Sequence, residues 1–541
     1  MKPGVESIVD VAVVGAGFGG LYALHKLRQA GFSVRGFERG DDVGGVWFWN
    51  RYPGARCDVE SMQYSFSFDE ELQQNWHWPE RFAAQPEILA YAQHVAKRYD
   101  LRRHISFGNG VVAAHFDEGQ GWWHLRTENG ESTSARFCLF ATGCLSAARM
   151  PEIEGIGDFK GKSYHTGHWP HEGVDFTGKR VGVIGTGSSG IQAIPVIAQQ
   201  AKELLVFQRT ANFSIPARNA PMDDAYERSW KDNYAALRRR AREDTTSGTV
   251  YEKSKFTAHE VDPQFRQSEY ERRWRGGGVS FMHSFNDLML DATSNASAAN
   301  FVRDQIRAIV RDPQVAELLA PKDHPIGTKR ICVDTDYFAA YNRSNVKLVN
   351  LKAEPIERIT ATGLQTTQTH HALDSIVFAT GFDAMTGALL KVDIRGRGGL
   401  RLDHAWEAGP RTYLGLMTAG FPNLFMVTGP GSPSVLANMI FAIEQHVDWI
   451  VNCLCALRER GVALIDADVE AQDQWVAHVN EVADKTLFKQ ANSWYLGANV
   501  PGKPRVFMPY AGGVVPYRKK CDEVAANGYT GFHLRALETQ A

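Results

Sequence analysis

The chain has 541 residues, room for roughly three or four domain-sized units, and its 44% hydrophobic content is that of a globular protein with a large core. Lys and Arg number 59 against 61 Asp and Glu, a formal net charge of −2, which gives no global reason to expect nucleic acid or an anionic membrane as a partner. No long uncharged apolar run reads as a membrane span, and the N-terminal MKPGVESIVD does not read as a signal peptide. The seven cysteines are scattered without a Cys-x-x-Cys pair, which fits free thiols in a reducing cytoplasm and offers no metal site.

In chain order, Val9 to Val14 is an apolar, β-branched run, the pattern of a strand buried on both faces. Gly15-x-Gly17-x-x-Gly20 follows. Next comes a helical stretch with Leu21, Leu24 and Leu27 on one face and Gly31 as its stop. A second strand over Phe32–Phe37 ends in Glu38, placed to accept from a ribose 2′-OH and to repel a 2′-phosphate. Strand, glycine turn, helix, strand and acid in this order predict a dinucleotide site, the pyrophosphate resting on backbone N–H groups at the helix N-terminus.

The stretch from Gly44 to Asp58 holds Trp47, Phe48 and Trp49 beside two glycines and fits poorly into any regular element. It reads equally well as the lining of a flat ring system or as a buried aromatic loop. Leu139–Gly143 and Ile376–Gly381 both end in Ala-Thr-Gly, and each plausible nucleotide sheet closes on one of them.

A second glycine turn, Gly185-x-Gly187-x-x-Gly190, follows another apolar strand. Here the next strand, Leu204–Gln208, ends in Arg209-Thr210 instead of an acid. A guanidinium there favours a 2′-phosphate, and so NADPH over NADH; the alternative is a surface arginine after a strand. Residues 220–325 read as a helical insertion, with Arg238–Arg242 on a solvated face. Lys329 and Arg330 stand before an apolar strand at Ile331–Val333; on these residues alone a solvated basic pair is the stronger reading than a site. Near Asn423–Asn438 a strand, a Gly/Pro/Ser loop and a helix from about Val435 supply a third loop of backbone donors. Ser493–Asn499 is turn-rich with an exposed aromatic pair, and Trp494 reads as core or as a cofactor cap.

Two longer patterns then carry a family resemblance. F-x-G-x-x-x-H-x-x-x-W-P is met at Phe159, Gly161, His165, Trp169 and Pro170. G-x-W-x-x-x-x-Y-P-G-x-x-x-D is met at Gly45, Trp47, Tyr52, Pro53, Gly54 and Asp58. With the two glycine turns these resemble the type I Baeyer–Villiger monooxygenases over nearly the whole chain, and the wording around GSPSVLANM, GTKR and NSWYLGANVPGKPRVFMP is most similar to the phenylacetone and steroid monooxygenase branch.

The resemblance implies an α/β chain of two dinucleotide-binding (Rossmann-like) domains with a helical insertion. FAD would take 1–145 and 383–541, NADP 152–219 and 326–382, with 220–325 inserted. FAD would contact Gly15, Gly17, Gly20, Glu38, Val46, Trp47, Phe48, Trp49, Asp58, Tyr64, Val111 and Met439. NADPH would contact Thr186, Gly187, Ser188, Ser189, Gly190, Gln192, Arg209, Thr210, Lys329, Arg330 and Trp494. Arg330 and Asp58 would be catalytic, whereas His165 would couple the domains. Phe48 departs from the Tyr of many relatives, which removes a hydroxyl but not the ring.

The implied reaction inserts one oxygen atom of O2 beside a ketone carbonyl, through a flavin peroxide and a tetrahedral intermediate, and yields an ester or lactone. Cyclic, aryl and steroid ketones are the implied substrates, with sulfoxidation as a side activity, in a monomer or weak homo-oligomer without nucleic-acid or membrane partners. Competing readings are a heteroatom-oxidising flavin monooxygenase and a non-catalytic nucleotide sensor; a flavin disulfide reductase lacks its Cys-x-x-Cys.

Overall fold

A computed structural model describes residues 7–536. The first sheet begins with β1 (Ser7–Val14) and β2 (Val34–Phe37) and continues with β3 (Ile105–Ser106), β4 (Val111–Asp117), β5 (Trp122–Thr127) and β6 (Ser132–Phe140). Its central strand β1 pairs in parallel with β2 and β6, register Val14↔Phe37 and Val14↔Phe140. The helix Phe18–Gln29 returns the chain between β1 and β2, as a right-handed βαβ crossover requires.

The second sheet opens with β7 (Lys162–His165), β8 (Arg180–Ile184) and β9 (Glu203–Gln208), the helix Ser188–Gln200 joining β8 to β9. The chain then forms β10 (Ser214–Pro216), crosses the insertion and returns as β11 (Cys332–Asp334), which pairs in parallel with β10. Exit from and return to the second unit therefore lie side by side. Next come β12 (Val346–Asn350), the antiparallel ribbon β13 (Ile356–Thr360), β14 (Gly363–Thr366) and β15 (His370–Ala372), and β16 (Ser375–Phe378). The completed sheet is all-parallel in the order β12-β9-β8-β16-β7. The chain then rejoins the first sheet with β17 (Asp393–Arg395) beside β4 and β18 (Leu424–Met426) beside β6.

The two units repeat each other bond for bond. Gly15 N–H donates to Phe37 O at 2.8 Å, and Gly185 N–H to Phe207 O at 3.1 Å. Ala141 and Ala379, the alanines of the two Ala-Thr-Gly turns, donate to Val14 O and Ile184 O, each at 2.9 Å. A Cβ on Gly15 (φ +103°) would stand 2.6 Å from Ala141 O, and one on Gly185 (φ +110°) 2.5 Å from Ala379 O. Each first glycine is thus required by left-handed backbone and by the carbonyl beneath it.

The insertion is helical at Asp224–Lys231, Tyr234–Glu243, Pro263–Gly276, Ala292–Ile309 and Pro313–Leu319. Asp223, Asp262, Asp291 and Asp312 cap four of these helices by accepting backbone N–H groups, each cap worth about 1 kcal/mol. Arg238 is not merely solvated: it donates to Gln63 O (3.1 Å) and to Ser65 Oγ (2.7 Å), fastening the insertion to the first unit.

Several local expectations change. Val46–Trp49 is one short helical turn, not an irregular loop. The late helix starts at Met439, capped by Asn438, because Ser434–Leu436 forms only a separate 3₁₀ turn. Among the described residues, Met439–Glu459 is the one helix long and apolar enough to cross a membrane, but it carries Glu444 and Asp448 and is mostly buried within the protein. It packs along Phe18–Gln29, with Ile443, Val447, Ile450 and Leu454 in the core. All seven cysteines are free; Cys455 alone is half-buried.

Candidate active site

The C-terminal ends of the parallel strands β1 and β8, one in each sheet, open on one cavity of about 1220 Å³. That exceeds the space a single small ligand needs and suits two dinucleotides plus a small substrate. Both glycine turns line it, through Gly15 and Gly17 and through Gly185 and Gly187.

Gly17 and Gly187 are the N-caps of their helices, without a side-chain cap and without an acidic residue in the first turn, so free N–H groups face the cavity. This is an anion cradle at each helix N-terminus. The outer glycines have another task. A Cβ on Gly20 would meet Gly15 O at 1.8 Å, and one on Gly190 would meet Gly185 O at 2.3 Å. They lie beneath the turns, off the cavity surface, and permit helix and strand to touch. The middle positions differ: Gly17 lies against Gly45, whereas a Cβ on Gly187 would meet nothing within 4 Å and would project into free space.

Glu38 is buried at the end of β2. Its two oxygens accept from Ala16 N–H and Gly40 N–H, each at 2.8 Å, leaving lone pairs for a hydroxyl. Burial raises its pKa, and those backbone donors oppose the rise. At the matching end of β9 stand Arg209 and Thr210, the latter's carbonyl accepting from Thr186 Oγ1 at 2.9 Å. Lys329 is near enough to Arg209 to feel its charge: burial lowers the lysine's pKa, Asp323 opposes the fall, and Arg209 adds to it. Neither cation has an ion-pair partner among the described residues.

Arg330 stands just ahead of β11. Its Nε donates to Asp58 Oδ2 and its Nη2 to Asp58 Oδ1, both at 2.9 Å, and Nη1 donates to Val435 O. Burial works to lower its pKa, but Asp58 more than offsets that, so the guanidinium stays cationic. A guanidinium has five N–H donors; three are engaged in these bonds, and the buried Tyr495 phenol also lies against Arg330.

Val46, Trp47, Trp49, Asp58, Tyr64, Val111, Met439, Thr186, Ser188, Ser189, Gln192, Arg209, Thr210, Lys329, Arg330 and Trp494 also line the cavity. Three of the expected contacts are spoken for elsewhere. Phe48 lies behind the wall, its ring 5.1 Å from Trp49 and 4.9 Å from His171. Gln192 accepts from Tyr52 OH (2.8 Å) and donates to Arg56 O (3.0 Å), so its amide staples one unit to the other. Ser188 Oγ sits 3.3 Å from Cys332 Sγ. Tyr495 is buried and Trp494 half-buried, so the aromatic pair is not exposed.

The segment carrying Trp494 is tied down across the cavity. Asn499 Nδ2 donates to Phe382 O at 2.6 Å, and Lys503 Nζ to Asp383 Oδ1 (2.6 Å) and Ala384 O (2.8 Å). His165 does not line the cavity. Its Nδ1 accepts from Gly167 N–H at 2.9 Å and its Nε2 lies 3.2 Å from Arg149 O and 3.3 Å from Thr380 Oγ1. It joins the linker strand β7 to the turn after β16, and burial lowers its pKa so that it is neutral.

Sequence reasoning missed Val435, whose backbone carbonyl holds Arg330 and has no side-chain signature, and Lys391, a cavity-lining cation.

Known proteins give the same picture. The family profile "Flavin-binding monooxygenase-like" matches residues 9–229. A Baeyer–Villiger monooxygenase of Pseudooceanicola batsensis is 45% identical over 527 residues, covering 97% of this chain and 96% of its own. The solved structure of an oxidized steroid monooxygenase bound to NADP is 53% identical, with a TM-score of 0.94 over 98% of this chain and 100% of its own. Cyclohexanone monooxygenase from Rhodococcus sp. Phi1 bound to NADP+ is 40% identical, with a TM-score of 0.96 over the same shares. The chain belongs to the flavin-binding monooxygenase-like family and, within it, to the Baeyer–Villiger monooxygenases.

Proposed function

We propose that Arg330, held by Asp58, is the catalytic cation of this enzyme, and that the two glycine turns divide the cavity between FAD and NADPH. The enzyme is an FAD- and NADPH-dependent Baeyer–Villiger monooxygenase that inserts one oxygen atom of O2 beside a ketone carbonyl to give an ester or lactone. The residues fit both groups: an open N–H cradle stands at each turn, a carboxylate at one ribose position and two unpaired cations at the other. When bound, FAD supplies the oxygen-activating ring and NADPH its reducing equivalents.

Gly15, Gly17, Glu38, Val46, Trp47, Trp49, Asp58, Tyr64, Val111 and Met439 form the FAD side in this reading, with Gly20 beneath the turn. Phe48 backs it from behind. Thr186–Ser189, Arg209, Thr210, Lys329 and Trp494 form the NADPH side, with Gly190 beneath its turn and Gln192 as the staple between the two. The corresponding units are 1–145 with 383–541 and 152–219 with 326–382, and 220–325 is the insertion.

Negative charge must develop on oxygen during the insertion, and an anion in a low-dielectric cavity is costly. Arg330 meets that charge with a proton it cannot lose, on a guanidinium already fixed at the cavity wall, so little reorganisation is needed. Asp58 fixes the guanidinium plane by a bidentate grip, and the Val435 carbonyl fixes its third edge. The Asn499 and Lys503 ties hold Trp494 across the opening and keep water out.

The bidentate contact of Arg330 with Asp58, in a cavity both turns share, carries this reading. Cyclic, aryl or steroid ketones are the substrates we assign, with sulfides as a side class, by a monomer or weak homo-oligomer. The free cysteines suit a reducing cytoplasm, where we place the enzyme. The test is to give the purified holoprotein NADPH, air and a mixed ketone panel and search for products one oxygen atom heavier. Esters or lactones are expected; sulfoxides from added sulfides with no ketone product would overturn the reading.

A further inference from the structure

Between β9 and β10 the chain runs Arg209-Thr210-Ala211-Asn212 along the cavity, and all four residues line it. Two bonds pin this run. Thr210 O accepts from Thr186 Oγ1 at 2.9 Å, and Asn212 Nδ2 donates to Cys332 Sγ at 3.2 Å.

Cys332, at the start of β11, is buried and rigidly held. Its N–H donates to Phe213 O at 3.2 Å, and its O accepts from Ser214 Oγ at 3.3 Å. Its Sγ lies 3.3 Å from Ser188 Oγ and directs its S–H to Arg330 O at 3.8 Å. Burial pushes the thiol up to about 12, so it keeps its proton and its sulfur lone pairs are left to accept. The contact with Asn212 therefore decides which end of the carboxamide is committed. The N–H2 end is turned onto the sulfur. Asn212 Oδ1 accepts no hydrogen bond from the described residues, and it belongs to a half-buried side chain on the cavity wall.

A carboxamide oxygen only accepts. It would repel a phosphate, and the second unit already offers phosphates the N–H groups of its glycine turn, with Arg209 and Lys329. What this oxygen calls for is an O–H or N–H donor. We propose that Asn212 is a further nucleotide-binding residue of this enzyme, its Oδ1 accepting from a neutral donor, hydroxyl or amide N–H, that NADPH and NADH share. Cys332 holds the amide in the orientation that allows it. This inference rests on the assignment of the second glycine turn to NADPH.

Asn212→Ala removes the acceptor from the cavity wall. FAD content, thermal midpoint and ketone KM should match wild type. The second-order rate constant for anaerobic flavin reduction should fall about fivefold for NADPH and by the same factor for NADH, the scale of one neutral hydrogen bond. Inhibition by 2′,5′-ADP, competing with NADPH, then locates the donor. A matching rise in its inhibition constant puts the donor on the adenosine half, an unchanged constant puts it on the nicotinamide half, and either supports the proposal. A loss below twofold with both nucleotides would overturn it. So would a loss confined to NADPH, which would mark a contact with the 2′-phosphate. A merely structural role would lower FAD content or thermal midpoint and leave the rate constants unchanged for each bound flavin, and that too would overturn it. Failure of NADPH to reduce the wild-type flavin would instead remove the reading of the second turn itself.

Discussion

Arg330 faces Asp58 through two parallel N–H···O bonds of 2.9 Å, and the two residues lie 272 positions apart in the chain. The first belongs to the return from the insertion and the second to the loop that follows the aromatic turn. This one contact fastens the insertion's return to the first unit at the cavity. It gives the site a permanent cation held in a fixed orientation.

The contrast between Glu38 and Arg209 predicts cofactor choice. Each stands at the end of the second strand of its unit, one a carboxylate already bonded to backbone N–H groups, the other an unpaired guanidinium. Arg209→Ala should lower kcat/KM for NADPH by about 10–10²-fold, the loss expected for a charged hydrogen bond, and change NADH far less. Equal losses for the two nucleotides, read by initial rates, would remove the 2′-phosphate role.

The glycines divide into two classes that substitution can separate. Gly20→Ala or Gly190→Ala places a Cβ within 1.8 or 2.3 Å of a backbone oxygen, so the turn must open and the protein should lose cofactor and thermal stability. Gly187→Ala meets no protein atom within 4 Å. It should fold with its flavin and raise KM for NADPH about tenfold, the scale of a 1–3 kcal/mol steric conflict with the ligand. Flavin content and NADPH titration distinguish the classes.

Acid stability should depend on His446. Its Nδ1 accepts from Thr428 N–H at 3.0 Å and its Nε2 lies 2.8 Å from Tyr517 OH, which donates to Leu414 O at 2.5 Å. Burial lowers its pKa to about 3. The unfolded chain takes a proton near pH 6.5, so between about 6.5 and 3 it binds more protons than the folded one. Stability is therefore lost as pH falls through that window, by up to about 1.4 kcal/mol per pH unit from this group. Thermal midpoints from pH 7 to 4 should fall more steeply for wild type than for His446→Gln. Parallel curves would show that the network does not exclude the proton.

Much of this was legible before any coordinates, because each glycine turn couples a backbone requirement to a chemical one. Gly15 and Gly185 need positive φ, their strands need two buried faces, and the residue ending each second strand must meet a ribose; all three leave marks in the residues. The rest left no such mark. Trp47, Phe48 and Trp49 gave no helical period over so short a turn. Gln192 looked like a cofactor contact because it follows the turn, yet its amide reaches across to Tyr52 and Arg56, a contact fixed only by how two units pack. Val435 acts through a carbonyl that every residue owns.

The most direct measurement is single turnover of Arg330→Ala against wild type, with anaerobic reduction followed by flavin absorbance and ester then counted after exposure to air and ketone. The account predicts wild-type flavin content and reduction by NADPH, and ester reduced by on the order of 10²–10³. Ester at more than about a tenth of the wild-type yield, roughly the loss expected from a single ordinary hydrogen bond, would contradict it.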